Sequence, residues 1–288
     1  MLMDVEHIDA AYAYRLQHEG ESEADFAQRL ADQLETRIVE LGPETVAAFV
    51  AEPVVGASLG SQPAPEGYFK RVREICDRHG VLLIADEVMC GMGRTGSLFA
   101  LEQEGICADI TTMAKGLGAG YQPIAAVMAR ESVIDAIMAG SGNLWNEHTY
   151  MSHAVATAGA LAVLQEVERR DLLGAVRERG AQLEAALRER FGPHAHVGDI
   201  RGRGLFWSIE LVAERDGKVP FDVKRNIAGK VQRAAMEAGM ICYPSQGCAD
   251  GTAGDHVLLA PAFTSPPEEI DQIVQMLGEA VDKGIAEG

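Results

Sequence analysis

Between positions 21 and 41 apolar residues recur at steps of three and four (Phe26, Leu30, Leu34, Ile38, Leu41), the spacing that lines one face of an α-helix. Gly42-Pro43 ends the run. Val46 to Ala51 is a short apolar stretch closed by Glu52-Pro53 and reads as a strand; a Gly/Ser/Pro-rich loop near the site follows to Pro65. From Pro65 to His79 a second helix is predicted, with proline at its start, Gly80 just past its end, and Phe69, Val72, Ile75 and Cys76 along one side. Three apolar runs of strand length come next: Val81 to Ala85, Ile110 to Ala114 and Ile124 to Ala129. Gly91, Gly93 and Gly96 mark a turn between the first two. Helices alternating with such runs predict an α/β fold, a mainly parallel sheet with helices on both faces.

The pattern breaks at Ser141 to Tyr150, a polar and aromatic loop containing Trp145, His148 and Thr149. An Ala-rich helix from Met151 to about Arg170 follows, placed to link two domains, and then an Arg/Glu-rich helix to about Phe191. Strands are predicted near Val197 to Ile200, Leu205 to Leu211, Ile241 to Tyr243 and His256 to Leu259. A helix spans Asp222 to Ala238, and a last one starts after Pro266-Pro267. This second part reads as a smaller α+β domain, which divides the chain into 1–170 and 171–288.

Two strand ends carry chemistry. Val81 to Ala85 runs straight into Asp86-Glu87, and Ile110 to Ala114 runs into Lys115, with Gly116, Gly118 and Gly120 behind it. Open α/β sheets place their ligands beyond the carboxyl ends of the strands. Asp86 also fits a magnesium-holding strand of a nucleotide hydrolase, but no Gly-x-x-x-x-Gly-Lys-Ser/Thr loop accompanies it. The glycines after Lys115 have the wrong spacing for a dinucleotide turn and lead to Gln122-Pro123 instead of a helix. A hydrogen-bonded structural carboxylate is the plainer reading of Asp86. Lys115 is harder to set aside, because a partly desolvated lysine is a nucleophile toward carbonyl compounds. Twenty-nine positions separate it from Asp86, room for a turn, a helix and the next strand.

Charge narrows the partners. The 288 residues carry a formal net charge of -18, which repels nucleic acid and anionic membrane. No apolar run is long enough to span a bilayer, and the amino terminus lacks the basic start of a secretory signal, so a cytoplasmic protein is expected. The five cysteines are odd in number and scattered, as reduced thiols are. Neither Cys242 with Cys248 nor His194 with His196 makes a metal set, and no metal is expected.

Several segments together resemble the class III aminotransferases, pyridoxal-phosphate enzymes of the type I fold. They are Ala51-Glu52-Pro53-Val54-Val55-Gly56, Leu83 to Val88, Gly91-Met92-Gly93-Arg94-Thr95-Gly96 and Met113 to Gly118. Weaker matches at Thr149-Tyr150, Arg201 to Leu205 and Leu259-Ala260-Pro261 keep the family order along nearly the whole chain. The resemblance implies pyridoxal 5'-phosphate as cofactor, bound to Lys115 as a Schiff base, with Lys115 then shuttling the proton at the substrate α-carbon. Asp86 is implied to bond the pyridine nitrogen; a carboxylate there keeps the ring protonated and electron-withdrawing. Val88 is implied to pack on a ring face, with core packing an equal alternative. Thr149 matches a position that reaches the phosphate of the neighbouring subunit, which implies a homodimer, although His148 stands where glycine is usual. Glu52 resembles a carboxylate beside the substrate pocket, or marks a turn. Trp145 walls the pocket or packs in the core, and Arg94 supports the turn after Asp86 through a salt bridge.

Two departures qualify the resemblance. Many family members hold the substrate carboxylate with an arginine in the strand before Ala-Pro, whereas this chain reads His256-Val257-Leu258-Leu259-Ala260-Pro261. Amines, ω-amino acids or a differently held carboxylate become the expected substrates. No small-residue phosphate turn precedes position 45, so the chain is expected to be the carboxyl-terminal two-thirds of an aminotransferase. Amino transfer between an amine or amino acid and a keto acid or aldehyde is the implied reaction. An aminomutase or racemase, or a truncated non-catalytic fragment or half-enzyme needing another chain, is the alternative.

Overall fold

The computed structural model describes residues 3–146 and 148–287. A single turn, α1 (Ala13–Leu16), precedes α2 (Glu23–Leu41), whose start is capped by Ser22: its hydroxyl accepts the Asp25 N–H at 3.1 Å. Next come β1 (Ala48–Ala51) and the two-residue strands β2 (Val54–Val55) and β3 (Gln62–Pro63). The helix read from Pro65 is α3 (Tyr68–His79) and starts three residues later, because Pro65 lies in a turn and Gly67 takes φ +78°. It ends at left-handed Gly80. Strands β4 (Leu82–Asp86), β5 (Ile110–Met113) and β6 (Ala126–Ala129) follow, then α4 (Glu131–Ala139), a helix without a buried residue that the pattern did not announce. The chain continues through α5 (Ala154–Arg169), α6 (Leu172–Phe191), β7 (Val197–Arg203), β8 (Phe206–Leu211), α7 (Ile227–Glu237), β9 (Tyr243–Gln246), β10 (Asp255–Leu259) and α8 (Pro267–Ala286).

Two compact units result, and neither is one stretch of chain. The first comprises residues 1–53, 64–92 and 99–165; the second comprises 54–63, 93–98 and 166–288. The boundary therefore falls inside α5, and two short segments from the first half of the sequence belong to the second unit.

The first unit is built on a sheet of order β1-β4-β5-β6. β1 with β4 and β4 with β5 pair in parallel, while β6 returns antiparallel at the edge. Leu83 and Ala85 face a core formed with Phe26, Leu30 and Leu34 of α2 and Phe69, Val72 and Cys76 of α3. In the second unit an antiparallel sheet of order β7-β8-β10-β9 packs one face on α6, α7 and α8 through residues such as Leu183, Trp207, Ile209, Val231, Val257 and Leu277. All six residues of β8 are buried, although Trp207, Ile209 and Leu211 alternate with polar Ser208 and Glu210. The polar face of this sheet needs partners of its own.

Candidate active site

Register assembles the first unit's chemistry. Ala51 of β1 lies opposite Ala85 of β4, and Asp86 lies opposite Thr112 of β5. Glu52 directly follows β1, Asp86 is the last residue of β4, and Lys115 lies two residues past the end of β5. Two carboxylates and an amine therefore stand at the carboxyl ends of three adjacent parallel strands, the ligand-binding end of an open α/β sheet. Glu52 and Asp86 are half-buried; Lys115 is exposed. Lys115 also sits at φ +40°, a left-handed conformation uncommon for a residue with a side chain and frequent at functional sites.

The Asp86 carboxylate is held, not loose. Its Oδ1 accepts the Val88 N–H at 3.0 Å and the Thr112 hydroxyl at 3.3 Å. Both bonds fall on one oxygen, so Oδ2 retains acceptor capacity for a ligand donor. Val88, half-buried, thus orients Asp86 through its backbone.

Glu87 is the residue that the sequence reading did not single out. Alternation along the strand sends it to the face opposite Asp86, where it is fully buried. Its two oxygens accept the N–H groups of Ala100 at 2.8 Å and Leu101 at 3.0 Å, the first residues of a short 3₁₀ helix, and the Cys90 thiol approaches at 3.5 Å. Burial raises its pKa, and the two backbone donors work against that rise. The turn from Glu87 to Gly91 closes with the Gly91 N–H on the Glu87 carbonyl at 2.9 Å. A Cβ on Gly91 would lie 2.6 Å from that oxygen, so glycine is required there for space. The signal in the sequence was an acid directly after Asp86.

Arg94 corrects its expectation. Its guanidinium donates to the backbone carbonyls of Leu205 at 3.0 Å and Pro261 at 2.6 Å and stacks over Phe263 at 4.6 Å, in place of a salt bridge. Burial lowers its pKa to about 10. Trp145 is 83% exposed, so it is no core residue; His148 and Thr149 are also exposed, and Glu147 lies outside the described residues. Among the described residues no group of three or more His, Cys, Asp or Glu side chains is disposed to hold a metal ion, and no helix is long and apolar enough to cross a membrane.

The second unit's polar face is organised by Arg201, which donates to Glu210 at 2.7 Å, Asp199 at 2.9 Å and the Gly60 carbonyl at 2.8 Å. Ser208 donates to Ser61 at 3.0 Å. Gly60, at φ +68°, lies so close to the His256 ring that a Cβ would come within 2.5 Å of it. Burial, reinforced by the charge of Arg201, holds the His256 pKa down to about 4, so the ring is neutral. Arg201 faces the sheet row of Leu258 through Ser208, yet its donors are committed to Glu210, Asp199 and the loop. It does not replace the arginine missing from the strand before Ala260-Pro261.

Comparison with known proteins adds the following. The model of the aminotransferase class-III family matches residues 1–281. An aminotransferase of Gibberella zeae is 46% identical over 98% of this chain and 56% of its own length. The uncharacterized aminotransferase YodT of Bacillus subtilis is 40% identical over 95% of this chain and 61% of its own. The crystal structure of the omega transaminase of Pseudomonas jessenii in complex with PMP superposes with a TM-score of 0.89 at 36% identity, covering 97% of this chain and 60% of that one. The chain thus spans little more than half the length of the curated relatives it matches.

Proposed function

Because the chain belongs to the class-III aminotransferase family, we propose that it carries the lysine-bearing share of a pyridoxal 5'-phosphate-dependent aminotransferase. The observation that supports this most directly is the register that sets Asp86 and Lys115 on the ends of neighbouring parallel strands. Pyridoxal phosphate, when bound, supplies an electron sink for negative charge developing on the substrate carbon. Asp86 offers Oδ2 to the protonated ring nitrogen while Val88 and Thr112 hold Oδ1. Lys115 anchors the cofactor covalently and moves the proton at the reacting carbon with its Nζ. Val88 packs on the ring, Glu52 and Trp145 line the substrate side, and Thr149 serves the phosphate of a neighbouring subunit in a homodimer.

The donor is an amine or amino acid and the acceptor a keto acid or aldehyde. The strand before Ala260-Pro261 brings no arginine, which favours donors without an α-carboxylate. Purified protein incubated with pyridoxal phosphate should develop a visible absorption band that Lys115→Ala abolishes. Wild type without that band would sink autonomous cofactor binding. Turnover without any keto-acid acceptor would point to an aminomutase or racemase instead.

A further inference from the structure

We propose that Glu87 positions Lys115: by anchoring the turn that carries Gly91 and Met92, it fixes the surface on which Gly116 rests and so holds the lysine in its left-handed backbone. This role rests on reading Lys115 as the cofactor-bearing amine, and it gives the second acid after Ala85 a task that needs no contact with the cofactor. All of the residues involved belong to the first unit.

Two residues with side chains take positive φ on either side of one contact, Met92 at +55° and Lys115 at +40°. A Cβ makes that conformation costly, and it persists where the surroundings over-determine it. Gly116 shows what those surroundings are. A Cβ built on it would lie 2.9 Å from the Met92 Cβ, with the Met92 and Gly91 carbonyl oxygens behind at 3.6 and 3.8 Å. The backbone just after Lys115 therefore sits directly against Met92. The Lys115 carbonyl also accepts the N–H groups of Gly118 at 3.1 Å and Ala119 at 3.0 Å. Those bonds are internal to the lysine's own turn, whereas the contact at Gly116 seats that turn on its neighbour.

Met92 is held in turn from Glu87. The Gly91 N–H closes on the Glu87 carbonyl, and a Cβ on Gly91 would also meet the Glu87 Cβ at 2.9 Å and Oε2 at 3.0 Å, so the turn is packed on the acid's own side chain. That side chain is clamped by the N–H groups of Ala100 and Leu101. Met92 is buried and has no open space to retreat into. The direction of a Cα–Cβ bond follows from φ and ψ, so the place to which Lys115 delivers its Nζ is set at the backbone, and supporting residues behind a reactive group keep it in productive geometry. For a residue with a Cβ, ordinary backbone is favoured over left-handed by roughly tenfold, so a lysine without its support would be correctly aimed only about a tenth of the time.

The test follows both the backbone and the amine in the full chain. Left-handed backbone at Lys115 is read without cofactor, from the strong intraresidue amide-to-Hα Overhauser effect that a positive φ gives. The amine is read by adding pyridoxal 5'-phosphate and then borohydride, which reduces the imine formed with loss of water, and by comparing trapping at Lys115 with trapping at exposed Lys70 in peptide maps. Gly116→Ala, which drives a Cβ into Met92, should weaken the Overhauser effect and slow trapping at Lys115 by about tenfold, with Lys70 unchanged. Glu87→Gln should act in the same direction by a smaller factor, since it keeps one acceptor. Met92→Gly added to Gly116→Ala removes the colliding atom, suits φ +55°, and should restore both readouts. An unaltered Overhauser effect in Gly116→Ala and Glu87→Gln would overturn the proposal, as would a changed backbone with unchanged trapping, or a double variant that restores neither. Wild type that traps Lys115 no faster than Lys70 would sink the reading of Lys115 as the cofactor-bearing amine, and the Overhauser effect alone would then decide whether Glu87 and Met92 hold it.

Discussion

Replacing Glu87 with alanine tests how the turn beyond Asp86 is held. The side chain is fully buried and accepts two backbone N–H groups, from Ala100 and Leu101. Alanine leaves both donors without their acceptor, at about 1–3 kcal/mol each. Part of that loss is recovered because a buried carboxylate, whose pKa burial has raised, is removed. A net cost of about 2–4 kcal/mol follows. Glu87→Gln keeps one acceptor but turns an amide against the other donor, and should cost about 1–2 kcal/mol.

The pH dependence has a definite sign. With the folded pKa above the ordinary 4.5, the native state binds this proton more tightly than the unfolded chain. The group's contribution is therefore largest below pH 4.5 and declines as pH rises toward the folded pKa. The advantage of wild type over Glu87→Ala should narrow across that interval. Two units unfold in this chain, so a single global midpoint is an ambiguous readout. Amide hydrogen exchange is local: Ala100 and Leu101 should lose protection in Glu87→Ala, while Leu83, whose N–H donates to Asp109 at 2.7 Å, should keep it. Unchanged exchange at Ala100 and Leu101 would show that the carboxylate does not hold the turn.

The remaining predictions concern the second unit. Arg201→Met strands the buried Glu210 carboxylate and should destabilise the unit by about 3–5 kcal/mol, read in urea by Trp207 fluorescence in a Trp145→Phe background. Adding Glu210→Leu should restore part of the loss; no restoration would place the cost in the Gly60 and Leu59 contacts instead. His256 is held neutral with its pKa lowered from 6.5 to about 4, so its contribution is intact above pH 6.5 and is lost as pH falls to 4. By linkage this is on the order of 3 kcal/mol. His256→Leu should remove most of that acid sensitivity, and an unaltered pH profile in the variant would refute the assignment.

The strand-end chemistry was legible because it is local. An apolar run that stops at Asp86 and another that stops at Lys115 announce buried strands with polar ends, and any parallel pairing of the two brings those ends together. Helix α2 was equally legible from its apolar spacing, and α8 from its Pro266-Pro267 start. Asp86 and Glu87, by contrast, are adjacent acids of nearly equal chemistry. Sequence cannot say which one faces a ligand and which is buried as a backbone anchor, since that depends on which sheet face is covered.

The same limit explains the other differences. The loop 54–63 and the turn 93–98 read as connections of the first half, yet they count with the second unit, where Arg201 and the Gly60–His256 contact hold the former and Arg94 the latter. Arg94 was expected to meet a carboxylate and met carbonyls 111 and 167 positions away. Sequence by itself determined most of the order of elements, because that follows from local periodicity, while the resemblance of its motifs pointed to the family and to Asp86 and Lys115 as candidate reactive side chains. Tertiary structure alone decided which polar groups are buried and which partners satisfy them, because burial belongs to the assembled chain and to no residue alone.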